Sequence, residues 1–136
     1  MLVRTSLMIL GTVLLVGCGT SGPQLGTVDG TVTLNGEPLK EAVVSFRPVA
    51  GGRTAEGITN DKGEFVIEFA AGSQGALLGD HEVRVTTFRE RVIADNGRVE
   101  DPGVLEKVPS KYNDESELIR TVEPGANHFE LELSGT

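Results

Sequence analysis

Thr27-Val28-Asp29-Gly30-Thr31-Val32-Thr33-Leu34-Asn35-Gly36 sets a pattern that recurs along most of the chain. Val28, Val32 and Leu34 alternate with Asp29, Thr31 and Thr33. Side chains of an extended strand point to opposite faces in turn, so this period of two reads as a strand with one buried and one wet face. Asn35-Gly36 closes it, because a two-residue hairpin loop demands positive φ and these residues supply it.

Working outward, Ala42, Val44 and Phe46 share one face of a second strand that Pro48 ends, and residues 53–59 form a weaker third. Asn60-Asp61-Lys62-Gly63 is a tight turn into a fourth, where Phe65, Ile67 and Phe69 alternate with Glu64, Val66 and Glu68. A Gly-rich loop over 70–80 precedes a fifth strand over 81–87, with Val83 and Val85 inward. Residues 118–122 make a sixth, and Glu123-Pro124-Gly125-Ala126 turns into a seventh in which Phe129, Leu131 and Leu133 alternate with His128, Glu130 and Glu132. Short strands parted by turn residues predict an all-β fold: a seven-stranded antiparallel Greek-key β-sandwich, with a barrel as the alternative. Phe46, Phe65 and Phe129 are expected to fill its core. One connection is long. Residues 88–108 carry charges, few apolar side chains and two turn signals (Asn96-Gly97 and Pro102-Gly103), so they are expected to be either functional or loosely ordered.

The formal net charge is −8, and no basic cluster interrupts it. That excludes nucleic acid as a partner, since phosphate neutralisation supplies most of such affinity. Five Phe, one Tyr and no Trp give a modest core, and 18 Gly with six Pro fit a chain full of turns.

Cys18 is the only cysteine. It follows an apolar run over 7–16, broken by Gly11-Thr12, with Arg4 as the only preceding charge. A run this short cannot cross a bilayer, which takes about 20 residues. Leu15-Val16-Gly17-Cys18 resembles the lipobox of a bacterial lipoprotein signal peptide: an apolar residue, a small residue before the scissile bond, then a thiol for thioether diacylation. The resemblance implies a signal helix over 1–17, a flexible tether over 18–26 (Cys18 and GTSGPQLG), and a domain over 27–136. It also implies membrane attachment through the lipid, on the periplasmic or outer-membrane, cell-surface side of a bacterial envelope. Gly19, rather than Asp, after the cysteine leans towards the outer membrane.

Gly30 through Leu39, then Ala42-Val43-Val44-Ser45-Phe46, then Gly57 through Phe65, together resemble the carboxypeptidase regulatory-like, transthyretin-like domain. Residues 79–85 and 108–131 resemble a lipoprotein branch of that family. These motifs are turns and core positions, so they imply a fold more than an activity. In peptidases the module is an accessory sandwich beside a catalytic domain. Hydroxyisourate hydrolases of this fold end in Tyr-Arg-Gly-Ser, whereas this chain has Leu133-Ser134-Gly135-Thr136. Intradiol dioxygenases hold iron with two Tyr and two His, and Tyr112 is the sole tyrosine here. The expectation is therefore a non-enzyme without a cofactor.

Asn60-Asp61-Lys62-Gly63-Glu64 offers too few oxygens, around a cation, for calcium, and turn chemistry explains the same residues. His81 and His128 lack the spacing of a metal site; each opens a strand, where a solvated or hydrogen-bonded imidazole is ordinary. Lys111-Tyr112-Asn113-Asp114 is the most distinctive cluster. It could form a surface for a protein or a sugar, with Tyr112 stacking and its neighbours making polar contacts. Alternatively Tyr112 pins the end of the long loop across the sandwich edge, its hydroxyl taking a backbone partner, and this reading is preferred because sugar platforms use two or more aromatics. The sequence as a whole points to a structural or protein-interaction module with an envelope protein as partner. The alternative is a module binding carbohydrate or another small ligand, with a glycan as partner.

The anchor is directly testable. Lipid attachment contributes about 0.8 kcal/mol per buried CH₂, so Cys18→Ser should move a folded protein from the membrane pellet to the soluble fraction. A variant that stays in the pellet through carbonate extraction would contradict the lipobox.

Overall fold

The computed structural model describes residues 22–135. β1 (Leu25–Leu34) is the spine of the first sheet, and Asn35-Gly36 turns it into β2 (Glu37–Pro38). Both turn residues have positive φ, 53° and 84°, as the sequence requires of a two-residue loop. β3 (Val43–Pro48) and β4 (Ala55–Ile58) pair in the second sheet. The predicted fourth strand is divided into β5 (Glu64–Val66), which pairs with β1, and β6 (Glu68–Ala70), which pairs with β4. β7 (Ser73–Gln74) pairs with β6, and β8 (Ala76–Leu77) returns to β1.

β9 (Gly79–Thr86) lies beside β3, and a hairpin of β10 (Val92–Ile93) and β11 (Val99–Asp101) follows it. After a 3-10 turn at Ser110–Tyr112, β12 (Ile119–Val122) pairs with β9, and β13 (Ala126–Leu133) pairs with β1. The second sheet therefore runs β12-β9-β3-β4-β6-β7. No helix among the described residues is long and apolar enough to cross a membrane.

The two sheets pack face to face as a β-sandwich. Val28, Val32, Leu131 and Leu133 of the first sheet and Val44, Phe46, Val83 and Val85 of the second belong to one buried cluster. The inward positions are those the alternation predicts, and burying them removes roughly 1.5–3 kcal/mol of unfavourable hydration per large side chain. Phe46 is the pivot: its ring stacks on Phe129 from the opposite sheet at 5.8 Å, centroid to centroid. Phe65 is buried as expected, whereas Phe129 is only half-buried and seals the core from its margin. Gly30 makes that approach possible. A Cβ there would sit 1.9 Å from the Phe129 carbonyl oxygen and 2.8 Å from the Phe65 ring.

Two further expectations are corrected. β1 begins at Leu25, two residues inside the expected tether, because Leu25 and Gly26 pair with Leu77 and Ala76. The sheets are not wholly antiparallel: β13 runs parallel to β1, from Thr27↔Ala126 to Leu34↔Leu133. Residues 88–108, expected to be either functional or loosely ordered, form an ordered β-hairpin. His81, expected to be solvated or hydrogen-bonded, is hydrogen-bonded and fully buried, since it shares the inward face of β9 with Val83 and Val85. Its ring lies 5.8 Å from Phe46, its Nδ1 is 2.9 Å from the Gly79 carbonyl oxygen, and its Nε2 has no partner among the described residues.

Burial pushes the His81 pKa below the ordinary histidine value, so the folded protein holds a neutral ring. Between the folded pKa and about 6.5, the unfolded chain binds more protons, so stability falls as pH drops below about 6.5. His81→Leu should remove that acid-side loss and should not destabilise the protein at pH 7, because it also removes the unpartnered nitrogen. Denaturant melts from pH 7.5 to 5 test this; equal pH slopes for wild type and variant would refute it.

Candidate functional site

The hairpin over 88–108 is a folded arm with a built root. At the end of β9, the Glu106 carboxylate accepts hydrogen bonds from the Thr86 hydroxyl, from the Thr87 amide at 2.8 Å and hydroxyl at 3.0 Å, and from the Val108 amide at 3.1 Å. Partial burial opposes its ionisation, but these donors outweigh it and hold the carboxyl below its usual range. Further out, Arg89 and Val104 exchange amide–carbonyl bonds of 3.0 and 2.9 Å. Arg89 Nε lies 2.7 Å from Asp101, whose other oxygen accepts the Gly103 amide at 2.8 Å. The Gly103 amide and Arg89 depress the Asp101 pKa. At the tip, the Ala94 amide donates to the Arg98 carbonyl and the Arg98 amide to the Asn96 side chain.

Polar bonds hold this arm, which leaves its apolar side chains outside. Phe88, Val92, Ile93, Val99 and Leu105 are all exposed, Leu105 at 84%. Ile93 and Val99 are direct cross-strand partners and so share a face. Beside the root, Phe88, Arg91, Pro102 and Leu105 border an open depression of about 390 Å³. This surface was missed in the sequence, although Asn96-Gly97 flanked by Val92-Ile93 and Val99 is a hairpin signal in its own right.

Lys111 and Tyr112 lie in the 3-10 turn, and Asn113 and Asp114 follow it. The Tyr112 hydroxyl accepts the Ser134 amide at 3.1 Å and lies 3.3 Å from the Ser134 carbonyl oxygen. Tyr112 therefore ties the end of the long connection to the end of β13, and its ring packs against the core. The Asn113 side-chain amide lies within 3.2–3.4 Å of the Val108, Val85 and Pro109 carbonyls. Lys111 reaches back over the Tyr112 ring at 5.0 Å, and Asp114 is exposed. The four residues thus sit together, but Tyr112 and Asn113 are engaged with backbone.

Elsewhere, Asn60 Oδ1 accepts the amides of Lys62 and Glu64, both at 2.9 Å, as a turn residue does. His128 Nδ1 lies 2.9 Å from Asp29 on the wet face. Among the described residues no group of three or more His, Cys, Asp or Glu side chains is placed to hold a metal ion. Leu15, Val16, Gly17 and Cys18 lie outside the described residues.

No protein-family model matches the chain. No curated protein matches it either. Among solved structures, a 9R-lipoxygenase from Cyanothece PCC8801 is similar at 18% identity and a TM-score of 0.48, over 82% of this chain. The chain spans 16% of that enzyme.

Tyr112→Phe removes a hydroxyl used by Ser134 and leaves the packed ring, so it should cost about 1 kcal/mol; Tyr112→Ala should cost more. Thermal melts of the two variants test this. Unchanged melting temperatures for both would show that Tyr112 does not pin the connection.

Proposed function

We propose that this is a non-catalytic, lipid-anchored β-sandwich of the bacterial cell envelope that works as a protein-interaction module. One observation carries the reading: a folded arm that keeps Phe88, Val92, Ile93, Val99 and Leu105 in solvent. Leaving such side chains in water costs stability, and an apolar surface held on ordered backbone is the usual form of a protein contact. Order matters because a pre-formed surface avoids much of the entropy cost of binding. Lipidation of Cys18 would keep the arm close to the bilayer. Residues 19–24 separate that cysteine from Leu25 at the start of β1, a reach of at most about 25 Å.

The same surface argues against the carbohydrate alternative. Tyr112 is tied to Ser134, which leaves Phe88 as the exposed aromatic of the arm. A sugar platform built on stacking would want a second.

A photo-crosslinking residue at Ile93 or Leu105 in cells should give adducts with a protein, and one at Thr33 on the sandwich should not. Ile93→Ser with Leu105→Ser should remove those adducts, introduced from Val99, without lowering the melting temperature. Adducts to glycan, or equal protein adducts from all positions, would overturn the proposal.

A further inference from the structure

A second surface lies on the sandwich itself, independent of the arm. The strand over 64–70 leaves β4 after the Glu56↔Glu68 pair, and its first half joins β1 instead. Two depressions of about 340 and 420 Å³ lie along this hairpin. Ile58 and Val66 border both. Ile58 is 68% exposed and Val66 is 49% exposed, so the apolar part of this surface is open to water.

The walls are acidic. Glu56 and Glu68 border one depression and Asp29 and Glu64 the other, and among the described residues no lysine or arginine lines either. Asp29 is engaged by His128, and Glu56 accepts the Ser45 hydroxyl at 3.2 Å. The Glu64 and Glu68 carboxylates have no side-chain or backbone donor among the described residues. The spacing has its own meaning. Glu64, Val66 and Glu68 are exposed while Phe65 and Ile67 are buried, so the three alternate outward along the strand as it passes from β1 to β4. Alternate strand residues stand about 6.6 Å apart, which makes the row carboxylate, apolar, carboxylate over about 13 Å.

We infer that this groove docks an extended protein segment of the pattern cation–x–apolar–x–cation. The matching period is that of a strand, in which residues i, i+2 and i+4 face one way. Two cations would meet Glu64 and Glu68 while the central apolar side chain covers Val66 and Ile58. Each exposed ion pair contributes little, so register and the apolar contact must act together.

The test is an NMR titration of the full-length, isotope-labelled chain in neutral micelles. The probe is the synthetic peptide Thr-Lys-Thr-Val-Thr-Lys-Thr, capped at both ends. The expected result is saturable shifts at Ile58, Glu64, Val66 and Glu68, weakened by salt and absent for the peptide with Glu in place of Lys. Glu64→Gln with Glu68→Gln should weaken binding about fivefold to tenfold, the effect of losing two exposed pairs. Ile58→Ser should weaken it too, and Ile93→Ser in the arm should leave it unchanged. No saturable shifts, equal binding of both peptides, or indifference to the Glu64/Glu68 change would overturn the inference. Binding of spermidine as tight as that of the peptide, with no effect of Ile58→Ser, would reduce the groove to a cation trap and overturn it as well. Loss of peptide binding on Ile93→Ser would place the contact on the arm instead.

Discussion

One strand serves two sheets. Residues 64–66 give their backbone bonds to β1 and residues 68–70 give theirs to β4 and β7, with the buried Ile67 at the crossing. Because backbone donors and acceptors inside a protein must all be paired, such a crossing needs a partner for each half and for the joint. The joint is provided: the Ile67 amide donates to the Val28 carbonyl, and its carbonyl accepts the Gly75 amide. This ties the two sheets along one side of the sandwich. The Val66 carbonyl packs on Gly57 of β4 at this crossing, and Ile58 and Val66 are left exposed beside it, where the acidic groove lies.

The opposite side is held by side chains. β12 lies at the margin of the second sheet, and the connection to it is fastened by Tyr112 to Ser134, by Asn113 to the Val85 carbonyl and by Ser116 to the Val83 carbonyl. The arm extends from this fastened stretch. Its root depends on Glu106, whose carboxylate gathers donors from both sides of the hairpin base. A chain of low aromatic content has little apolar surface to spare, yet both open surfaces spend some of it in water. In each case polar backbone devices, rather than burial, hold those side chains outside.

Much of this was legible in the chain. The seven predicted strands recur because period-two alternation records burial directly: Val28, Val44, Phe65, Val83 and Leu131 are all inward. Alternation says nothing about which strand lies beside which, so the parallel match of β13 to β1 was hidden. Gly30 carried that information, since only a residue without Cβ lets the Phe129 carbonyl come so near, but a lone glycine in a strand has many readings. His81 fell on the inward phase set by Val83 and Val85, and its polarity masked the phase. At the predicted cluster, proximity in sequence was a poor guide. The hydroxyl of Tyr112 is used 22 residues away, while Lys111 and Asp114 remain at the surface. The arm was obscured because its apolar residues are scattered among charges, and the groove because its walls come from strands far apart in the chain.

The claim beneath the functional reading is that residues 88–108 are folded, so that their apolar side chains form a surface rather than a loose tail. Residue-resolved amide hydrogen exchange tests it most directly. The amides of Thr87, Arg89, Ala94, Val104 and Val108, each bonded in the hairpin or at its root, should exchange at least about tenfold more slowly than in a free peptide. Exchange at free-peptide rates across 88–108, with β3 and β9 still protected, would contradict it.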